Sequence, residues 1–154
     1  MKSFIGIAAA LTTGMAMADI APRDGWVVTQ TSKPFSQLVD DVKTAVRANK
    51  MGVVTQAGPT GAAKKRGIDI PGNRVIGVFN NNFAVKILGL SEAAMIEAPI
   101  RMYVTENTDG TATLSYKTPS YVFEPYMSEA GEELAKEAKK LDVIFEAISD
   151  AATE

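Results

Sequence analysis

The chain contains no cysteine and no histidine. Without cysteine it has no disulfide, no thiolate nucleophile and no thiolate metal ligand, so the fold must stand on its core alone. Without histidine it lacks the side chain that titrates near neutrality when unperturbed. Ser-His-Asp and Cys-His catalysis are excluded, and so are imidazole zinc sites. Acid–base work would fall to a carboxylate, a lysine or a tyrosine. Haem would be left with Met, Tyr or Lys as axial ligand, and no cofactor is expected. Met51, Met95, Met102 and Met127 are scattered, which suits core filling better than a copper(I) thioether site.

A strong net charge of either sign is also missing. The formal net charge is −2, and the longest basic run is Lys64-Lys65-Arg66. Such a chain makes a poor nucleic-acid binder, and it has no Lys/Arg-rich amphipathic helix of the membrane-surface kind. The basic triplet lies between Gly61 and Gly67, but a Walker loop needs its glycines earlier and a closing Lys-Ser/Thr, so a solvated loop face is the plainer reading.

What is present begins with the N-terminus. Lys2 supplies a positive start, Phe4 to Met15 an apolar stretch, and Ala16-Met17-Ala18 a small-x-small cleavage site. This reads as a signal peptide over residues 1–18, with a single mature domain over 19–154. The apolar stretch is too short to span a bilayer, and no transmembrane segment is expected. A periplasmic or secreted location follows from that reading.

Along the mature chain, Gly25 to Thr31 reads as a strand. Phe35, Leu38, Val39, Val42, Ala45 and Val46 then recur at helical spacing, with Pro34 in the first turn. Gly52 to Gln56 offers a second strand. A short helix over Thr60 to Gly67 follows, with Thr60 as its cap. Arg74 to Phe79 reads as a third strand, and Asn80-Asn81-Asn82 caps a helix over Phe83 to Leu88. A further helical turn runs through Met95. Ile100 to Glu106 and Thr111 to Lys117 are strands joined at Asp109-Gly110, a hairpin signal. Residues 118–127 read as an aromatic loop. The last helix spans about Ser128 to Ala151, with Leu134, Ala138, Leu141, Phe145 and Ile148 as its apolar stripe and Glu132–Lys136 as a supporting pair. The fold class is α+β: two layers in the order β-α-β-β-α-β-β-α, a mixed or antiparallel sheet, and helices mainly on one face.

The segments Ile76-Gly77-Val78-Phe79-Asn80-Asn81, Phe83-Ala84, Pro99 to Val104, Asp109-Gly110 and Thr118-Pro119 carry a family pattern. It consists of a strand ending near an Asn turn, a helix with an early Ala, a Pro that opens a strand, a Gly hairpin, and a strand running into Pro. In this the chain resembles the family catalogued as domain of unknown function 302, and 26–56 fits the same pattern. Family members often carry Cys where Phe79 and Ile100 stand here, and Asn81 replaces the turn proline. No thiol or metal role therefore carries over. The resemblance implies a compact α+β domain and a homodimer, without an assigned activity.

Four groups of residues are candidates for a binding site. Asn80, Asn81 and Asn82 sit at a strand-to-helix junction, where amides can meet an anion or a carbonyl, or simply cap the helix. Arg101 and Tyr103 share one strand face, and Tyr103 and Tyr116 are expected to pair across the hairpin and line a pocket; ordinary cross-strand packing is the competing reading. Tyr121, Phe123, Glu124 and Tyr126 form the densest aromatic cluster, able to clamp a planar ligand or to lid the core. Glu124, Tyr103 and Lys117 are what an enzyme would have to use, and no second carboxylate is placed opposite Glu124 in the way a glycosidase needs. The expectation is a non-catalytic extracytoplasmic module that binds a small ligand or an envelope protein. An enzyme of carboxylate, Tyr or Lys chemistry and a structural envelope or stress protein are the alternatives.

Overall fold

Five strands form one antiparallel sheet, and their alternation sorts side chains onto two unlike faces. The computed structural model describes residues 19–154, so the expected leader lies outside the described residues. The strands are β1 (Trp26–Pro34), β2 (Gly52–Ala57), β3 (Asn73–Phe79), β4 (Ile100–Glu106) and β5 (Thr111–Lys117), in the spatial order β1-β5-β4-β3-β2. The helices are α1 (Phe35–Ala48), α2 (Thr60–Lys65), α3 (Asn81–Leu90), α4 (Pro119–Phe123) and α5 (Met127–Thr153). Short 3-10 turns occupy Ala93–Glu97 and Glu124–Tyr126.

The sheet is wholly antiparallel, as each neighbouring pair shows. β1 and β2 are its edges. A register irregularity lies between Gln30 and Pro34 on one and between Val53 and Thr55 on the other. Bulges, together with Lys33 and Pro34 on β1, discourage edge-to-edge pairing.

One face is covered by α1 and α5, which also pack on each other. Leu38, Val42 and Val46 of α1 meet Ile76, Met102, Val104 and Leu114 of the sheet, with Leu134, Ala138, Leu141, Phe145 and Ile148 of α5 in the same buried cluster. The four-residue spacing on α1 and the 4-3-4-3 spacing on α5 place each set along one side of its helix. Each buried aliphatic side chain contributes about 1.5–3 kcal/mol. No helix among the described residues is long and apolar enough to cross a membrane.

Several local readings are corrected. Pro34 is the N-cap of α1 and not part of its first turn. Thr60 does not cap α2, because its hydroxyl is taken by the Pro71 carbonyl and the Asn73 amide. The aromatic stretch after β5 is helical: Thr118 caps α4, and Pro119 and Pro125 each sit in a first turn, where the missing N–H costs nothing. Gly131, at φ 52°, kinks α5 near its start. Lys136 pairs with Glu133 at 2.6 Å and not with Glu132.

Phe145 is fully buried at the centre of this core, with its ring 5.7 Å from that of Tyr116. Phe145→Ala should lower the stability by about 3–5 kcal/mol. A urea unfolding curve with an unchanged midpoint would contradict the packing described.

Candidate functional site

The sheet face turned away from α1 and α5 carries a groove. Cross-strand register builds it: Tyr103 of β4 lies opposite Ser115 of β5 and Val75 of β3, and Trp26 of β1 lies opposite Lys117 of β5. Strand alternation therefore sends Trp26, Val75, Arg101, Tyr103, Ser115 and Lys117 to the same side. With Glu97 and Val122 they line a cavity of about 330 Å³. Ligand pockets typically measure roughly 300–1,000 Å³. A second recess of about 240 Å³ adjoins it, sharing Glu97, Arg101, Lys117 and Val122 and adding Tyr121, Glu124 and Pro125.

The wall formed by α4 is held at three points. The Thr118 hydroxyl accepts a hydrogen bond from the Tyr121 N–H at 3.3 Å, and the Thr118 N–H donates to the Gly25 carbonyl at 2.9 Å. Ser120 donates its N–H and its hydroxyl to the two carboxylate oxygens of Asp142 on α5, at 2.8 and 2.5 Å. Gly25 has φ +73°, and a Cβ there would lie 2.1 Å from the Tyr121 ring, so only glycine lets that ring rest on the backbone. On the opposite wall the Tyr126 hydroxyl donates to Glu97 at 2.7 Å. That donated bond holds the Tyr126 phenol above its ordinary pKa.

The polar groups of the groove are unusually free. Neither Arg101 nor Lys117 belongs to an ion pair among the described residues. The Lys117 ammonium lies 5.7 Å from the Trp26 ring centre, and the Arg23 guanidinium lies 5.1 Å from it. Both distances are within cation–π range. Ser115 is fully buried, and its hydroxyl has no hydrogen-bond partner among the described residues. A buried hydroxyl left unpaired costs about 1–3 kcal/mol. Thr105, on the same face of β4, also holds an unpaired hydroxyl.

Arg101, Tyr103, Tyr121 and Glu124 thus meet in one groove, as the sequence suggested for the first pair and for the last pair separately. Tyr116 lines the same cavity as Tyr103, as expected, but the two do not lie opposite each other. Tyr116 pairs with Met102 and Val27, and its ring packs on Phe145 beneath the sheet. The register is one residue away from the expected one, and a one-residue slip moves a side chain to the other face. Phe123 joins the core instead of the groove.

Asn80, Asn81 and Asn82 stand apart from the groove lining. Asn80 caps α3 by accepting from the Asn82 and Phe83 N–H groups at 2.9 and 3.3 Å, and its amide donates to the Lys50 carbonyl at 2.9 Å. Asn81 and Asn82 are exposed. The void beside Asn80 measures about 30 Å³, no more than a water molecule's share of liquid volume. Trp26, Val75 and Ser115 were not legible as site residues; the register of the Asp109-Gly110 hairpin would have exposed Ser115 as the partner of Tyr103. No group of three or more acidic residues among the described residues is arranged to hold a metal ion.

A family model described as Domain of unknown function DUF302 matches residues 27–150. The chain belongs to the DUF302 family. The crystal structure of an uncharacterized conserved DUF302 protein from Bacillus stearothermophilus is similar to this DUF302 chain in fold, with a TM-score of 0.74 at 15% identity. The match covers 84% of this chain and 99% of that one. No curated protein matches the chain.

Burial raises the Tyr116 phenol from 10.0 to about 12, and the carboxylates of Glu146, Asp150 and Asp142 add to the shift. Because the folded-state value is the higher one, this contribution to stability is complete below pH 10 and is lost as the pH rises towards 12. A spectroscopic titration should show a phenolate step near pH 12 that Tyr116→Phe removes. Persistence of that step in the variant would contradict the assignment.

Proposed function

We propose that this DUF302 protein is a non-catalytic, extracytoplasmic module that holds a small ligand in the groove on the open face of its sheet. One observation carries the reading: a cavity of about 330 Å³ is lined by two exposed cations, Arg101 and Lys117, that have no protein counter-ion among the described residues. A ligand that brings hydrogen-bond acceptors to them gains charge-assisted bonds that the protein leaves unmade. Apolar walls with a few convergent polar groups are the usual make-up of a small-molecule site. The extracytoplasmic location rests on the leader-like residues 1–18.

The residues an enzyme would need share the groove walls, since Tyr103 and Lys117 line the larger cavity and Glu124 the adjoining recess. An enzyme of carboxylate, Tyr or Lys chemistry, the alternative, would have to work with these same groups.

A second reading, docking of an envelope protein or a homodimer contact, is favoured by Val85 and Leu88 on α3 and Ile96 just beyond it, which are 71%, 51% and 81% exposed.

Native mass spectrometry of the protein, taken gently from the envelope of its own host, tests the groove reading and the location. The expected species begins at Asp19 and carries an added small-molecule mass. Val75→Trp, which fills the groove, should lose that mass while keeping the fold. An empty wild-type species, or an added mass that survives Val75→Trp, would contradict the groove reading. A chain that retains Met1 would contradict the location.

A further inference from the structure

We infer that the ligand of this groove is a small organic monoanion with a flat apolar body; the inference rests on the groove being a ligand seat. The argument starts from charge. The larger cavity is lined by two cations, Arg101 and Lys117, and one carboxylate, Glu97. One oxygen of that carboxylate is already taken by the Tyr126 hydroxyl at 2.7 Å. The cavity therefore keeps one positive charge in excess. The adjoining recess adds Glu124 and is balanced. An anionic group gains most in the larger cavity, where it can take charge-assisted hydrogen bonds from both cations.

The position of that group follows from the walls. Lys117 leans over Trp26, which limits how far its ammonium can move. Arg101 is exposed, and it forms no ion pair among the described residues that would hold its guanidinium away from a ligand. Ser115, opposite Tyr103, is fully buried in the floor, so the cations above it are the groups a ligand meets.

The apolar part of the ligand is set by Trp26, Val75, Tyr103, Ile100 and Val122. Trp26 and Tyr103 give the sheet floor two aromatic side chains, on which a planar ring system can lie flat. At about 330 Å³ the cavity equals about ten or eleven water molecules at liquid volume, enough for a molecule of one or two rings.

The test is calorimetric titration of the purified protein with naphthoate and with its neutral amide, naphthamide. These probes share size and apolar surface and differ in charge. The expected result is that naphthoate binds about tenfold or more tightly than naphthamide, and that added salt erodes the difference. Arg101→Gln and Lys117→Gln should each weaken naphthoate several-fold and leave naphthamide unchanged, and Lys117→Arg should restore naphthoate binding. Arg101 and Lys117 are both exposed, so these variants should fold. Equal affinity for acid and amide, with both lost in Val75→Trp, would overturn the anion inference while leaving the groove reading intact. Binding of either probe that Val75→Trp does not alter would overturn both. Failure of both probes to bind a protein that still carries a small molecule from its host would overturn the inference alone.

Discussion

The register of the β4–β5 hairpin is the constraint on which the rest of this molecule depends. Met102 opposite Tyr116 and Tyr103 opposite Ser115 decide which side chains face the helices and which face outward. In that register Met102, Val104, Leu114 and Tyr116 complete the core under α1 and α5. The complementary set, Arg101, Tyr103, Ser115 and Lys117, is left on the other face with nothing in the core to satisfy it. A slip of one residue would bury an arginine and a lysine and expose the aliphatic layer, which makes the pairing strongly specified. Core and groove are two consequences of one pairing.

The groove needs walls as well as a floor, and these come from the chain that leaves β5. Thr118 and Pro119 start α4 at once, Asp142 of α5 fastens Ser120 through two hydrogen bonds, and the Gly25 carbonyl takes the Thr118 N–H. The same long helix that fills the core therefore also anchors the groove wall. Glu97 is held in turn by Tyr126, from the turn that follows α4. A site assembled from strands and short helices tied to the core can hold its side chains in place before a ligand arrives, which lowers the entropic cost of binding.

Much of this was legible in the residues. Pro99, Asp109-Gly110 and the alternation between them mark β4 and β5 to the residue, and the stripe on α5 is buried as its spacing requires. The two-layer α+β order follows from the same signals. Three things were not legible. An Asp-Gly pair marks a turn without saying which residues close it, so the partner of Tyr103 was misplaced by one position. A five-residue helix is too short to show a period, and α4, rich in aromatic residues and flanked by prolines, reads as a loop. Ser115 and Val75 are ordinary strand residues whose role comes only from their neighbours across the sheet, and Trp26 likewise gains its place beside Lys117 from the pairing of β1 with β5. The triple asparagine shows the reverse case, a conspicuous local motif whose first residue is fully employed in capping a helix.

The central claim is that the open face of the sheet, and not the asparagine turn or the exposed side of α3, is where this protein meets its ligand. Amide NMR spectra of the protein, recorded before and after adding the small-molecule fraction of its host's envelope, test this most directly. The account predicts shifts centred on Trp26, Val75, Tyr103, Ser115 and Lys117, including the indole N–H of the single tryptophan. Shifts centred on Asn80 to Leu88 with the groove unchanged would contradict it.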